Sequence, residues 1–574
     1  MIWKKKGNET TIYDVINRNT GLANEFIQPD FNSYYIPNMA TAAAWIKYYV
    51  QIGVPFSIVG DYDTDGICST FGLETILGRI GAKKIDVILP KRMSEGYGLS
   101  EKIVDRIHSG VLLTVDNGIS SVDAIKKAKD KGLIVIIFDH HLAKRENGKV
   151  ILPPADLIVD PMVEDSLIAK EPLKKVLFRK YCGAGLVYKL SQYLVDDFLQ
   201  NFISTYAAIA TVADVMPLIK DNRNIYKMGI KNIAQNNMSY GLSAIIDLLK
   251  TNRIITESDI GFRIAPMLNA PGRIYDEGAM ISYKALASNR YSEAKANAET
   301  LRLINEDRKI LKKEAVARAE KYIEDECLFS NNPIVILDNK TSEGIVGLVS
   351  GEICEKYNAS TITLAMTKDG YYKGSARAVH GENIKAALDI FNSNYPGILL
   401  KYGGHEGAAG LSVCADKIQD FIDGMNKIMP AKKPIPTTIE YDLEINPEDL
   451  VKTLNELSKY APFGEGNPPV VFKINDFKLT PSGNCFYSII GNDSIKFNGA
   501  GCEAIGFSLF NKYRQENYPM MLDMIGMLAY RNYKGNRIPQ IELIDFSSSV
   551  REEDEMEEIC DSIFSIFKSK GYAI

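Results

Sequence analysis

Between residues 55 and 160 the chain alternates short β-branched, apolar runs with stretches of helical periodicity. That is the pattern of a parallel sheet with helices on its faces. The runs lie at 56–60, 85–89, 111–115 and 133–138. Three of them end in acidic clusters: Asp61-Tyr62-Asp63-Thr64-Asp65, Asp116-Asn117-Gly118 and Asp139-His140-His141. Ligands of open α/β sheets bind beyond the carboxyl ends of the strands, so the topology predicts that these clusters converge. A mostly helical stretch at 182–301 continues the same domain and carries Asp214 and the segment Asn269-Ala270-Pro271-Gly272-Arg273.

Residues 291–327 contain neither Gly nor Pro and are rich in Ala, Glu, Lys, Arg and Leu, which predicts one long solvated helix connecting two domains. Alternation resumes at 333–429, with strands at 334–337 and 361–366 and a glycine-rich segment at 403–410, and predicts a second, smaller α/β domain. A proline-rich boundary at 430–436 follows. Strands at 437–445, 486–490, 520–528 and 538–544 around a helical segment at 448–460 then suggest a small β-barrel of the OB type. The predicted fold is therefore α/β: a parallel-sheet catalytic domain at 1–300, a connecting helix at 301–330, a smaller α/β domain at 331–432, an OB-like barrel at 433–550 and a helical tail at 551–574.

A chain of 574 residues with 46% hydrophobic and 24% charged residues has enough material for several folded cores, so disorder is not expected. A net charge of -5 gives no global basic field, and any nucleic-acid contact must come from a local groove. The eight cysteines form no Cys-x-x-Cys pair and read as reduced thiols. The N-terminus lacks an apolar core segment and no apolar run approaches bilayer length, so a cytoplasmic protein without membrane contact is expected. Only five histidines are present, and two of them, His140 and His141, are adjacent.

Carboxylates gathered in one cleft repel unless cations or protons neutralise them. Asp63 and Asp65 reach one centre if the chain bends into a loop after the first run, a bend that Gly66 permits. With Asp116, Asp139, His140, His141 and Asp214 they form an oxygen and imidazole set without thiolate, suited to two Mn²⁺ or Mg²⁺ ions about 3.5 to 4 Å apart. Such a pair activates a bridging water for phosphodiester hydrolysis. Asp116, on the central strand, is the favoured bridge, and His141 is either a ligand or a donor to the phosphate.

Plainer readings stand beside these. An aspartate at a strand end is commonly a helix cap, and paired histidines can be a polar turn. Capping does not explain three such clusters on one sheet. Segment 403–410 is either a tight turn or a set of exposed amides that, with His405, meets a phosphate backbone. Ser375 and Arg377 either hold a terminal phosphate or are ordinary surface groups, and Arg92 and Arg273 carry the same two readings.

With these residues in hand, the sequence resembles the DHH superfamily and, within it, the RecJ family. Gly60-Asp61-Tyr62-Asp63-Thr64-Asp65-Gly66, Asp116-Asn117-Gly118, Asp139-His140-His141 and Thr211-Val212-Ala213-Asp214-Val215-Met216-Pro217-Leu218 resemble its four motifs. Gly403-Gly404-His405 is similar to its DHHA1 domain. Asn269-Ala270-Pro271-Gly272-Arg273 and Pro462-Phe463-Gly464-Glu465-Gly466-Asn467-Pro468 narrow the likeness to RecJ. The resemblance implies a processive 5′ to 3′ exonuclease on single-stranded DNA, active in recombination and mismatch repair and using Mn²⁺ or Mg²⁺. It implies Asp63, Asp65, Asp116, His140 and Asp214 as metal ligands and Asp61, Asp116, Asp139 and His141 as catalytic residues. It further implies Arg273, Ser375, Arg377 and His405 as contacts to DNA or its 5′ phosphate; the residue reading adds Arg92 and Gly404 as DNA contacts, with a helicase and a single-strand-binding protein as candidate partners. Two departures stand out: Ser342 occupies a place where relatives commonly carry histidine, and the lead before the first motif is short. The alternative function is a DHH-DHHA1 phosphodiesterase of short oligonucleotides or cyclic dinucleotides.

Overall fold

The computed structural model of the chain describes residues 2–549 apart from 29–33, 147, 171–177, 252–253, 431–437, 482–484, 492 and 534–535. The helical tail expected at 551–574 lies outside the described residues.

Five parallel strands form the first sheet in the spatial order Ile85–Ile88, Phe56–Val59, Val111–Val115, Ile134–Phe138, Leu157–Val159. The central strands are buried almost throughout because helices cover both faces. Their side chains divide by alternation: Leu113, Val115, Ile136 and Phe138 enter one core, whereas Leu112, Val135 and Ile137 enter another. The first strand's neighbours follow it on opposite sides, so the winding reverses between Phe56–Val59 and Val111–Val115. The crevice at that reversal lies at the carboxyl ends where Asp61 and Asp116 leave the sheet.

Helix Tyr291–Asp325 spans 35 residues, about 50 Å of rise. It does join two domains, but it is not solvated along its whole length. Ala294, Ala298 and Leu301 belong to the core of the first domain, and Ala315, Val316, Ala319 and Ile323 pack with Ile334, Ile336, Ile345 and Val349 of the second. Four of the nine buried residues are alanine, which barely registers as hydrophobic periodicity among so many charges.

The second sheet runs Leu399–His405, Ala408–Cys414, Tyr371–Arg377, Thr361–Met366, Ile334–Leu337, and only the last pair is parallel. Segment 403–410 is therefore not an isolated turn. It supplies both strands of a hairpin, with Gly403 opposite Gly410 and His405 opposite Ala408.

A seven-stranded mixed sheet follows, in the order Leu443–Ile445, Val471–Lys478, Met521–Tyr533, Asn536–Ser548, Cys502–Gly506, Ser494–Gly499, Tyr487–Ile490. Among the described residues no ladder joins the two ends of this order. The N-terminus completes this domain. Strand Ile2–Lys5 pairs in parallel with Thr438–Tyr441, Trp3 Nε1 donates to Asp545 Oδ2 at 2.9 Å, and Arg18 pairs with Asp442. Ile12, Val15, Ile16 and Phe26 are buried with Phe472, Phe497 and Phe546. Residues 2–28 thus pack mainly with the C-terminal sheet, although the sequence reading joined them to the catalytic domain; Phe26 meets that domain under Arg223. Among the described residues no helix is long and apolar enough to cross a membrane.

Truncation of Leu301 to alanine, at the point where the long helix enters the first core, should cost about 2 to 5 kcal/mol in urea denaturation. A loss under about 0.5 kcal/mol would mean that this half of the helix is not part of that core.

Candidate metal centre

The loop after the first strand is short because it runs straight into helix Thr64–Arg79. Asp63 caps that helix, accepting the Gly66 N–H at 3.1 Å, so the capping role holds alongside any ligand role. Asp65 lies in the first turn, where its carboxylate accepts the N–H groups of Gly183 and Ala184 at 2.5 and 2.8 Å, at the positive start of helix Gly183–Leu194. Gly66 does not bend the strand end. It is helical, and an added Cβ would stand 2.5 Å from the backbone N and O of Asp61.

Asp116 adopts φ +62, a left-handed conformation that aspartate tolerates better than most residues. Asn117 holds it there. Its amide donates to Val59 O at 3.0 Å and Val115 O at 2.9 Å while accepting from Leu99 N–H at 3.1 Å, joining the two strand ends that border the crevice. Asp61 accepts the Gly98 N–H at 3.2 Å, and the Tyr97 hydroxyl donates to Asp116 O at 2.7 Å.

His140 Nε2 lies 3.0 Å from Asp116, 3.6 Å from Asp65 and 3.7 Å from Asp214. Three groups bring their donor atoms within 4.8 Å of one another: Asp61, Asp63 and Asp116; Asp116, His140 and His141; and Asp65, His140 and Asp214. Asp116 and His140 each belong to two groups. Asp139 belongs to none. Its oxygens accept from the backbone of Ile119, His140 and His141 and from His141 Nδ1 at 2.8 Å, so it acts by orienting that ring.

Burial first, and the neighbouring carboxylates second, push Asp61 and Asp116 well above the ordinary range, raise Asp63, and lift Asp214 to about 8. Burial would also raise Asp139, but the His141 charge and hydrogen bond outweigh it and hold that carboxyl low. For His141 burial works downward and is overcome by Asp139, so the imidazole rises to about 9; His140 is lowered by burial and then by the His141 charge. With no cation bound, these shifts favour a proton on His141 and leave His140 neutral. Asp214 Oδ2 is buried with no hydrogen-bond partner among the described residues. An oxygen-rich donor set with one neutral imidazole, short of positive charge, fits Mn²⁺ or Mg²⁺.

The predicted DNA contacts form a second group. Arg92 lies over the Tyr62 ring, 4.4 Å from its centroid. Arg273 ends helix Ala265–Ile274, donates to Gly344 O at 3.2 Å, and is brought down to about 9 by burial and then by Arg92 and Arg308. Arg377 donates to Ser375 Oγ at 3.2 Å and is lowered by burial and by Arg92. Ser375, Gly410 and Gly403 occupy one row across the second sheet, and Arg377, Ala408 and His405 the next, all on one face. Gly403 and Gly410 leave that face bare, since a Cβ at either would meet nothing within 4 Å.

Gly404 points the other way, where a Cβ would stand 2.2 Å from Ala408 O, so its role is close packing. The amides expected to be exposed in this segment are largely consumed by the ladder, and what remains is a side-chain-free surface. His405 is exposed, and its Nδ1 accepts the Gly407 N–H at 3.2 Å. Ser342 stands at the start of helix Glu343–Tyr357, beside the Gly344 contact with Arg273.

Sequence reading missed Asn117 and Tyr97, whose neighbourhood to the motifs was the available signal. It also missed Arg308, one of many charges on the long helix. Asp160, which follows the fifth strand, is 0% exposed, with Oδ2 unpartnered among the described residues and its carboxyl raised by burial and then by Asp139. A three-residue strand before it gave no periodicity to read.

A doubly wound parallel sheet with a carboxylate and histidine centre at its winding reversal defines the DHH class. The pattern of the DHH family, N-terminal domain, matches residues 55–215, the DHHA1 domain residues 331–430 and the RecJ OB domain residues 441–545. The single-stranded-DNA-specific exonuclease RecJ of Haemophilus influenzae is 30% identical over 522 residues, 86% of this chain and 88% of that one. The structure of RecJ from Thermus thermophilus in complex with Mn²⁺ is similar with a TM-score of 0.73 at 22% identity, over 94% of this chain and 76% of that one. An exonuclease RecJ bound to manganese gives 0.56 at 25% identity, over 68% and 94%. The chain belongs to the RecJ family.

In metal-free protein the His141 ring should titrate near pH 9 by NMR, and Asp139→Asn should bring it to 6.5 or below. The His141 share of the stabilisation is full below pH 6.5 and is lost as pH rises through about 9, because its folded value exceeds the unfolded one, while the Asp139 share, from a lowered carboxyl, is lost as pH falls through that carboxyl's folded value. A His141 titration unchanged by Asp139→Asn would contradict this pairing.

Proposed function

We propose that this protein is a metal-dependent 5′ to 3′ exonuclease of single-stranded DNA, acting in the cytoplasm in recombination and mismatch repair. The observation that carries the reading is the shared position of Asp116 in two donor groups at the winding reversal, with Arg273 within the electrostatic reach of Asp63 on one side and Arg377 on the other. Asp63, Asp65, Asp116, His140 and Asp214 would hold two Mn²⁺ or Mg²⁺ ions, with Asp116 belonging to two donor groups and Asp61 beside it. When bound, such ions neutralise the carboxylates, make water nucleophilic at neutral pH and polarise the phosphate.

The chain's own residues do the remainder. Asp139 keeps a proton on His141, and the resulting imidazolium, with a 42% exposed side chain, donates to a non-bridging phosphate oxygen. Ser375, Arg377 and Arg273 hold the 5′-terminal phosphate through charge-assisted hydrogen bonds, with Arg92 and Arg308 adding positive field. The bare Gly403 and Gly410 face beside His405 lets the sugar-phosphate backbone come close. The C-terminal domain, matched by the RecJ OB pattern, grips the strand further along, and a helicase and a single-strand-binding protein deliver it.

Asp116→Ala should abolish hydrolysis while single-strand binding in EDTA persists; turnover in this variant would remove Asp116 from the shared position. Long single strands labelled at each end in turn should release nucleotides from the 5′ end. Degradation of two- to five-nucleotide oligomers with long strands left intact would instead support the short-oligonucleotide phosphodiesterase. Blocking the 5′ phosphate, or Arg377→Ala on a phosphorylated strand, should lower kcat/KM about tenfold or more. Equal rates on blocked and phosphorylated ends would count against the terminal-phosphate pocket.

A further inference from the structure

The segment Pro462-Phe463-Gly464-Glu465-Gly466-Asn467-Pro468 has no part in the chemistry above, yet it leans on the turn that carries Asp214. Asp214 terminates helix Asp197–Ala213. The next residue, Val215, adopts φ +54, a conformation that a β-branched side chain avoids, in a left-handed helix end closed by the Met216 N–H donating to Thr211 O at 2.9 Å. Three residues further on, the Leu218 N–H donates to Glu465 O at 2.8 Å.

Two glycines close the contact. A Cβ on Gly466, at φ +71, would stand 2.8 Å from Pro217 Cβ, and one on Gly464 would stand 2.9 Å from Leu218 Cδ1. The segment is itself rigidly held: Asn467, 0% exposed, donates to Tyr460 O and Pro462 O at 3.0 and 2.7 Å. Arg223, from the helix that follows the Asp214 turn, donates to Tyr460 O and Lys459 O at 2.8 and 3.0 Å with its guanidinium over the Phe26 ring. Glu257 accepts from Phe463 N–H at 3.4 Å and from the Tyr226 hydroxyl at 3.0 Å.

We propose that this segment is the positioning element for Asp214, so that docking of the C-terminal domain sets how tightly the ion held by Asp65, His140 and Asp214 is bound. The inference rests on the ligand assignment made above. Asp214 has only a short, strained turn between itself and the Leu218 anchor; the turn is closed within by the Met216 N–H to Thr211 O, and its far end is held by Glu465 and Gly466. Groups that orient a ligand without touching the metal commonly govern affinity by 10 to 100-fold. The coupling is reciprocal: ion binding at Asp214 tightens the docking of the segment.

The test is Mn²⁺ titration of the full chain by calorimetry, with single-strand binding measured in EDTA. Gly466→Ala should weaken one of the two ions about tenfold and leave the other, and DNA binding in EDTA, within about twofold. Gly491→Ala is the matched control. Gly491 sits in the same domain at φ +64, a Cβ there meets nothing within 4 Å, and its substitution should leave both ions unchanged. Where Gly466→Ala does not fold, Gly464→Ala carries the same expectation; its methyl meets the end of the Leu218 side chain, and at φ +154 it adds backbone strain at the same contact.

Asp214→Asn separates the two claims. If it leaves both ions unaffected, the ligand assignment fails. If it weakens one ion while Gly466→Ala and Gly464→Ala do not, the assignment stands and the coupling is overturned. Equal weakening by Gly466→Ala and Gly491→Ala would also overturn it, as general strain in the domain. Slower hydrogen exchange at the Leu218 amide on adding Mn²⁺, absent in Asp214→Asn, would support the reciprocal half, and unchanged exchange in the wild type would overturn that half.

Discussion

Like charges confined where water cannot reach them set the terms for the rest of this molecule. Asp61, Asp65, Asp116 and Asp139 are all 3% exposed or less, and they occupy the mouth of one sheet. Ionised carboxylates in such a place cost several kcal/mol each unless something positive or a proton donor is beside them. The fold supplies a partial answer with its own groups: backbone N–H donors at Asp61, Asp63, Asp65 and Asp139, a helix start at Asp65, and a cationic ring against Asp139. Asp214 and Asp116 are left the least provided for, and divalent cations complete the balance.

From that constraint the domain plan follows. A centre drawn from four separate chain segments must be held by something stiffer than loops, and Asn117 provides part of it by tying two strand ends to Leu99. The long helix provides more, because it belongs to the cores of both α/β domains and fixes the face bearing Ser375 and Arg377 relative to Arg273. The C-terminal sheet, which recruits the first 28 residues, braces the catalytic domain through Arg223 and the Glu465 carbonyl. Negative groups collect on the sheet mouth and guanidinium groups on the junction of the domains, an arrangement suited to a phosphate held between them.

Much of this was legible in the sequence, for physical reasons. Strands buried on both faces are written as near-continuous apolar runs, so Phe56–Val59, Val111–Val115 and Ile134–Phe138 could be read directly, and winding rules then made their acidic ends converge. The strand Leu157–Val159 was too short to show a period, and with it Asp160 escaped notice. The long helix was found but read as solvated because only nine of its 35 residues are buried and four of those are alanine. The glycines of 403–410 signalled close approach, but which glycine faces the core and which faces out depends on hairpin register, and composition does not carry register. Arg308 was hidden among 67 lysines and arginines, and the return of the N-terminus to the last domain left no local trace.

The central claim is that the buried carboxylates make this fold a receptor for two divalent cations. It is tested most directly by following the thermal unfolding midpoint of EDTA-stripped full-length protein as Mn²⁺ is added at neutral pH, against Asp116→Ala treated alike. An ion that binds only the folded state raises that midpoint by mass action. The account predicts a rise that continues through two equivalents of Mn²⁺ in the wild type and is largely lost in Asp116→Ala. A midpoint indifferent to Mn²⁺, or an equal rise in both proteins, would contradict it.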